Sequence, residues 1–432
     1  MKKYENLFNQ EIEFHGFVDN IRNLQYVQFL IVRNEVIKLQ VTIEKNEENK
    51  ELNEIISNLS VESTVIIYGK LMENPKVKLN GMELIPKSIV ITSKNLEDLP
   101  INFNDPDTIN LDTRLDYRFL DLRSEKNLLL FKIKSAFIKA LRNYLENNDY
   151  TEIHTPKLIK TASESGSSVF EVNYYDDKAY LAQSPQFYKQ MAMSAGFGKV
   201  FEIAPVFRAE KSYTSRHATE ITMFDLEKSY INSYEDIMEI KESMFVYALK
   251  EIKEKYGSDI KKVFDTEVII PKTPFPRIKL KDLYKVLNEK YNYTIPGEDD
   301  GDLNAEGERL AGQYAMEEYD SEFIFITDYS AKKRAFYHMR KDGVPQGFDL
   351  IWKGVEITTG AQREHRYEEL KSQAKEAGLD KDVEFYLDFF KHGCPPHGGF
   401  GMGVDRITMI LLNISTLKET MFIFRGPNRL SP

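Results

Sequence analysis

The run Gly399-Phe400-Gly401-Met402-Gly403-Val404-Asp405-Arg406 constrains this chain more than any other stretch. Its glycines let a backbone pass close to a ligand, and an arginine follows at once as the chain enters a helix-like segment, Asp405 to Leu412. Far upstream lies Phe207-Arg208-Ala209-Glu210, followed by Thr214, Arg216-His217 and Glu220, in a turn between two apolar runs. Two separated arginine elements joined by apolar strands suit a nucleotide clamp. The planar guanidinium pairs with phosphate through two donors and stacks on flat rings. Each element also has a plainer reading. The glycine run could be a tight strand-to-helix joint, Arg208 a surface partner of Glu210, and His217 a structural histidine.

The rest of the chain divides by pattern. Residues 11 to about 95 read as five short strands, with Ile12, Phe14, Gly16 and Val18 alternating and further runs at 27–32, 37–43, 63–70 and 82–91. Polar stretches such as Lys45 to Glu51 separate them. Five short strands suggest a small barrel of the OB type, which commonly binds single-stranded nucleic acid on one face. Residues 96–124, with Pro100, Asn104-Asp105-Pro106-Asp107 and Asp112, read as a linker or hinge. From 125 to 432 the pattern is that of one α+β domain. Leu130, Ile133, Phe137, Leu141 and Tyr144 recur at helical spacing over 125–147. Ser233-Tyr234-Glu235-Asp236 opens a second helix, with Gly257 as its stop. Strand-like runs at 199–203, 224–231, 323–327, 348–351 and 355–358 do not alternate regularly with helices. That order favours an antiparallel sheet flanked by helices over a doubly wound one. The acidic stretch Glu298 to Asp320 is assigned no role.

Bulk properties narrow the classes. The chain has 432 residues, 42% hydrophobic and 29% charged, enough for two or more domains. No apolar run of membrane-spanning length occurs, and Met1 to Asn6 lacks a signal-peptide core. A single cysteine, Cys394, excludes an intrachain disulfide framework and fits a cytoplasmic protein. No Cys/His cluster points to zinc. The net charge of −10 argues against RNA binding by bulk electrostatics, so an RNA site would be a local basic surface.

The arginine elements resemble motifs of the class II aminoacyl-tRNA synthetases, subclass IIb. Phe207 to Glu210 with Thr214, Arg216-His217 and Glu220 is similar to motif 2, and Gly399 to Arg406 to motif 3. Pro156, in Tyr150-Thr151-Glu152-Ile153-His154-Thr155-Pro156, matches the motif 1 proline. The likeness runs from about Gly16 to Pro432 and is nearest to the aspartate branch of archaeal and eukaryotic type. It implies an enzyme that activates L-aspartate with ATP to aspartyl-adenylate. The aspartyl group then passes to the 3′ end of tRNA(Asp), with tRNA(Asn) open as a second acceptor.

By this resemblance, Arg208 lies on the α-phosphate and the attacking carboxylate. Arg216 and His217 lie near the outer phosphates, Ala209, Glu210 and Ala218 near the nucleotide, and Gly403, Val404, Asp405 and Arg406 around the adenine. Asp405 departs from the glutamate usual there. Asp349 and Glu356 are assigned to Mg²⁺, with Thr359 where the family usually has serine. The resemblance assigns Glu164, Gln186, Phe187, Tyr188, Lys189, Arg208, Asp225, Thr359 and Arg363 to aspartate. Lys189 and Arg363 are the two cations facing its side-chain carboxylate, and Glu164 and Gln186 hold the ammonium. Phe29 and Gln40 match anticodon-reading positions, although the glycines usual near Leu24-Gln25 and at Ile37 are missing. Pro156 implies a homodimer.

Three other readings stay open. The asparagine enzyme generally lacks the lysine at 189. An adenylate-forming paralogue with another acceptor would often lack the barrel. A nucleic-acid-binding module with an inactive second domain would not need Arg208, Glu356 and Arg406 together.

Overall fold

The computed structural model describes residues 2–160 and 168–432. The chain forms two compact units, 1–105 and 106–432.

The first unit is a closed five-stranded barrel, β1 (Glu11–Asn23), β2 (Val27–Arg33), β3 (Lys38–Glu44), β4 (Thr64–Glu73) and β5 (Met82–Ser93), in the order β1-β2-β3-β5-β4. Alternation explains the closure. In β2 and β3 every second side chain (Leu30, Val32, Leu39, Val41, Ile43) is buried in the barrel core, and their neighbours face out. Phe29 is one of the outward residues, so it is free of the barrel core. The polar stretch at 45–51 leads into a helix, Lys50–Ser57, that covers the barrel with Ile55 and Ile56. Packing of Leu52, Ile55 and Ile56 on the barrel core makes that charged segment helical.

The second unit is built on an eight-stranded sheet. Its order is Arg277–Lys279, Phe323–Thr327, Gly347–Trp352, Val355–Arg363, His397–Gly403, Glu220–Ser229, Lys199–Phe207 and Thr151–Glu152. The pairings are antiparallel except at the two edges. One face is covered by the helices Glu125–Glu146 and Tyr234–Phe264, which bury Leu130, Ile133 and Phe137 with Met244, Phe245 and Leu249. Phe201, Phe224 and Phe400 stack across three strands beneath them. The other face carries the polar site.

Two expectations need correction here. Gly257 does not end its helix, which runs from the Ser233 cap to Phe264, where Asp265 adopts the left-handed conformation. Burial of Ile252, Ile260 and Phe264 along one side outweighs the roughly 1 kcal/mol that an internal glycine costs. Nor is the segment 96–124 a linker throughout. Residues from Pro106 onward belong to the second unit and include the helices Leu111–Asp116 and Arg118–Asp121. Asp121, fully buried, accepts from Arg114 Nε at 2.8 Å and from Asn127 Nδ2 at 3.0 Å, and it pairs with Arg118. Arg118 in turn donates to the carbonyls of Glu419 (2.9 Å) and Met421 (2.7 Å). These partners lie some three hundred positions away, so local composition could not signal them.

Lys241 is a cost carried by the core. It is fully buried, with its ammonium over the rings of Phe245 (4.2 Å) and Phe400 (4.5 Å), and it pairs with no carboxylate among the described residues. Burial drives its pKa well below the usual lysine value. The unfolded chain therefore binds more protons than the folded one between the two pKa values, and the penalty grows as pH falls below the unfolded pKa. Lys241→Met should stabilise the protein by roughly 1–3 kcal/mol at pH 7. The gain should shrink toward pH 10. Urea unfolding midpoints at the two pH values check both statements.

Candidate active site

The glycine-rich strand makes the site possible in two ways. Glu220–Ser229 and His397–Gly403 pair so that Met223 faces Gly403, Asp225 faces Gly401 and Glu227 faces Gly399. A Cβ on Gly399 would lie 2.3 Å from Glu227 Oε2, and one on Gly401 would lie 3.1 Å from Asp225 Oδ1. Two of the glycines thus make room for buried acids of the neighbouring strand. Gly401 and Gly403 also leave bare backbone as the floor of a cavity of about 360 Å³.

That cavity brings the distant elements together. Arg208, Arg216, His217, Glu356, Thr359, Gly403, Asp405 and Arg406 line it, as do Gln186, Asp225 and Arg363. Arg406 Nη1 donates to the Glu356 carbonyl at 2.8 Å, and the Thr359 hydroxyl donates to Glu356 Oε1 at 3.0 Å. The Glu356 amide donates to Glu308 Oε2 at 2.9 Å. The same oxygen accepts from Arg216 Nη1 at 3.2 Å. Burial, helped by the Glu356 charge, pushes Glu308 up to about 7. Burial, then Arg406 and Arg208, lowers the pKa of His217, so its imidazole is neutral at pH 7 and its Nδ1 bonds the Thr214 hydroxyl.

At the other end four buried charges form a quartet. Lys189 Nζ donates to Asp225 Oδ1 (2.9 Å) and to the Phe400 carbonyl (3.2 Å), and it lies 3.4 Å from Glu227 Oε2. Arg363 donates through Nε to Glu227 Oε1 and through Nη2 to the Gly399 carbonyl, both at 3.0 Å. Burial raises the Asp225 pKa against the pull of Lys189. For Glu227 burial is outweighed by Arg363 and Lys189, and its pKa falls. Asp225 Oδ2 is buried and has no hydrogen-bond partner among the described residues. Behind the quartet, Gln186 donates to Gln190 (2.7 Å), which also contacts Tyr386 (3.0 Å) and His397 (2.9 Å). Burial takes His397 down to about 4.

Several expected residues sit differently from the simplest reading. Lys189 and Arg363 are not free cations: each is already paired, and Lys189 lies under the cavity floor with 2% exposure. Phe187 packs against Tyr386 in a buried cluster, ring centres 4.5 Å apart, and neither it nor Tyr188 lines the cavity. Ala218 and Val404 are core residues. The Asp405 carboxylate pairs with Lys134 and accepts from the Thr222 amide at 3.2 Å, so it braces the sheet against the Glu125–Glu146 helix. Ala209 and Glu210 belong to the loop between the paired strands and are outside the lining. Glu164 lies outside the described residues. Pro156 is exposed after the edge strand.

Asp349 faces Thr359 across the strand pair and is ion-paired to Arg334, whose guanidinium lies 3.6 Å over the Tyr329 ring. Its Oδ1 is buried and has no hydrogen-bond partner among the described residues. With Glu356 and Thr359 alongside, this donor set is hard and oxygen-only, which fits Mg²⁺ held by one or two carboxylates and substrate phosphate. Among the described residues no group of three or more His, Cys, Asp or Glu forms a closed protein cage for a metal.

The sequence reading missed Glu308, Glu227 and Arg334. Glu227 had a signal: it is two residues from Asp225 on a strand and therefore on the same face. Glu308 had none, being one of many acids in a stretch taken as solvated.

In the barrel, Phe29 and Gln40 line a separate groove of about 800 Å³ with Arg22, Lys38, Lys76 and Lys78. Gln40 Nε2 donates to Thr42 Oγ1 at 3.2 Å, and Glu83 accepts from Thr42 (2.5 Å) and Asn74 (2.6 Å).

An antiparallel sheet carrying a glycine-floored, arginine-walled cavity with a buried charge quartet at one end is the arrangement of a class II aminoacyl-tRNA synthetase. The family model for class II tRNA synthetases (D, K and N) matches residues 110–424, and the chain belongs to that family. It is 40% identical to an aspartate–tRNA(Asp/Asn) ligase of Aeropyrum pernix, over 99% of this chain and 97% of the relative. It is 39% identical to an aspartate–tRNA(Asp) ligase of Pyrococcus furiosus, over 99% and 98%. Its fold matches asparaginyl-tRNA synthetase from Pyrococcus horikoshii in complex with asparaginyl-adenylate, with TM-score 0.89, 30% identity, and 99% and 97% of the two chains covered. The aspartyl-tRNA synthetase of Entamoeba histolytica matches with TM-score 0.86 and 30% identity, over 99% and 91%. Among the described residues no helix is long and apolar enough to cross a membrane.

Proposed function

We propose that this chain is an aspartate–tRNA ligase. The observation that carries the reading is one cavity with Arg208, Arg406 and Glu356 at one end and Asp225, Gln186 and Arg363 at the other. In the first step an aspartate carboxylate oxygen attacks the α-phosphorus of ATP, and pyrophosphate leaves in line. Two anions must meet, so positioning and charge neutralisation dominate. Arg208 spans the attacking carboxylate and the α-phosphate. Arg406 stacks on the adenine, which lies over Gly401 and Gly403. Arg216 and His217 take the outer phosphates. Glu356 and Thr359, with Asp349, would hold Mg²⁺, which would supply positive charge to the phosphate oxygens.

Aspartate binds at the quartet. Among the described residues Asp225 Oδ2 is an acceptor lacking a donor, and the substrate ammonium supplies one, shared with Gln186 and, by the family resemblance, Glu164. Arg363 faces the side-chain carboxylate, and Lys189 keeps Asp225 and Glu227 neutralised below. In the second step the 3′-hydroxyl of the tRNA attacks the carbonyl carbon and AMP leaves. The barrel reads the anticodon, with Phe29 stacking a base and Gln40 hydrogen-bonding its edge. The active form is a homodimer that includes the Pro156 region, and the enzyme works in the cytoplasm.

ATP–pyrophosphate exchange with each amino acid tests the reading. Aspartate should support exchange at least a hundredfold better than asparagine, because the amide NH2 would meet the N–H donors of Arg363 where a carboxylate oxygen accepts them. Equal exchange with both would overturn the assignment. Charging purified tRNA(Asp) and tRNA(Asn) then decides the acceptors, on which the two archaeal relatives carry different names.

A further inference from the structure

Glu308 has no place in the mechanism above, yet it touches two residues that do. It projects from the helix Ala305–Tyr319, and its side chain is 15% exposed. One carboxylate oxygen, Oε2, accepts both the Glu356 amide (2.9 Å) and Arg216 Nη1 (3.2 Å). Glu356 is thereby gripped at its N–H by Glu308, at its carbonyl by Arg406 and at Oε1 by Thr359. Its strand position is secure from three sides. Arg216 is different: of these partners it has only Glu308, on a side chain that remains 29% exposed. An arginine at the mouth of a phosphate pocket, held by one half-screened ion pair, is free to exchange that carboxylate for a phosphate.

We propose that Glu308 is a positioning residue that competes with bound phosphate for Arg216, so that it parks the arginine at the empty site and reclaims it when pyrophosphate leaves. The inference rests on reading the cavity as an ATP site. Its physical basis is competition for one guanidinium. A phosphate that takes Arg216 leaves buried Glu308 with the Glu356 amide alone, so the lost pair opposes retention of the phosphate and is regained when the phosphates depart. Glu308 therefore weakens retention of the leaving group without touching the reacting atoms. The backbone bond to Glu356 fixes the carboxylate in place, so Arg216 is the partner that moves. Burial also makes the carboxylate costly to leave unpaired, which favours the return of Arg216.

Aspartate-dependent ATP–pyrophosphate exchange in wild type, Glu308→Gln, Glu308→Asp, Arg216→Ala and the Glu308→Gln/Arg216→Ala double variant tests this, with inorganic pyrophosphate as the probe. Glutamine keeps an oxygen for the Glu356 amide and removes the charge. Glu308→Gln should lower the KM for pyrophosphate about tenfold and slow turnover in tRNA charging several-fold, while the KM for aspartate stays within twofold. Glu308→Asp should restore both values toward wild type. In the Arg216→Ala background the Glu308→Gln shift should fall below threefold, since the contested partner is gone. An unchanged pyrophosphate KM would overturn the proposal. So would the same tenfold shift without Arg216, or parallel changes in all three substrates, which would mark a merely structural role. Absence of exchange in the wild-type protein would instead remove the ATP reading itself.

Discussion

Lys189→Leu should lower kcat/KM for aspartate by about a thousandfold, roughly 4 kcal/mol, because it breaks a buried charge set. In the native site Lys189 and Arg363 balance Asp225 and Glu227. Leucine leaves two carboxylates facing one guanidinium, so the floor of the amino-acid pocket gains net negative charge where a substrate carboxylate must enter. Electrostatic exclusion of aspartate follows, although Lys189 itself lies beneath the floor. The nucleotide end is lined by other residues, and the KM for ATP should stay within about threefold, well under 1 kcal/mol. Exchange kinetics varying each substrate separately check this. Equal losses for aspartate and ATP would show that the substitution damaged the fold and not the pocket. A thermal melt of the variant separates those cases directly.

Arg208→Ala should reduce the rate of adenylate formation by a similar factor, roughly a thousandfold. The reasoning differs. Arg208 lines the cavity from an exposed loop position, and unlike Arg216 and Arg363 it forms no ion pair with a described residue. Its guanidinium is therefore available to charge that develops during the reaction, and little stability should be lost with it. The expected signature is a fall in kcat with small changes in KM and an unchanged melting temperature. Near-normal exchange would remove Arg208 from the transition state. Arg208→Lys should recover only part of the rate, because a point charge cannot span two anions as a planar fork does.

The two substitutions illustrate different ways in which a charged residue serves the site. Lys189 acts from below through its neighbours, and its removal is felt as misplaced charge. On the proposed reading Arg208 acts on the reacting groups directly, and its removal should be felt as a missing charge. Glu308 is a third kind: it lies outside the cavity lining and holds one of the lining arginines, Arg216, by an ion pair. Asp405, expected at the nucleotide, lines the cavity and also braces helix against sheet through Lys134. Its neighbour Arg406 still reaches the Glu356 backbone, so the brace fixes the base from which that arginine extends.

Local patterns carried much of this protein. Period-two alternation gave the barrel strands, and helical spacing with a serine cap gave the long helices to within a turn at their starts. Adjacent residues in motifs, such as Arg208 or Gly403 with Arg406, were legible because the chemistry lies in neighbours along the chain. What tertiary structure decided was partnership. Whether Lys189 faces solvent, substrate or Asp225 depends on a strand 36 residues away. Whether Glu308 is a solvated acid or the holder of Arg216 depends on a contact across 92 residues. Arg118 finds its carbonyls across three hundred. Burial sets the strength of a charge interaction, and burial is a property of the packed sheet and helices, which no window of sequence contains.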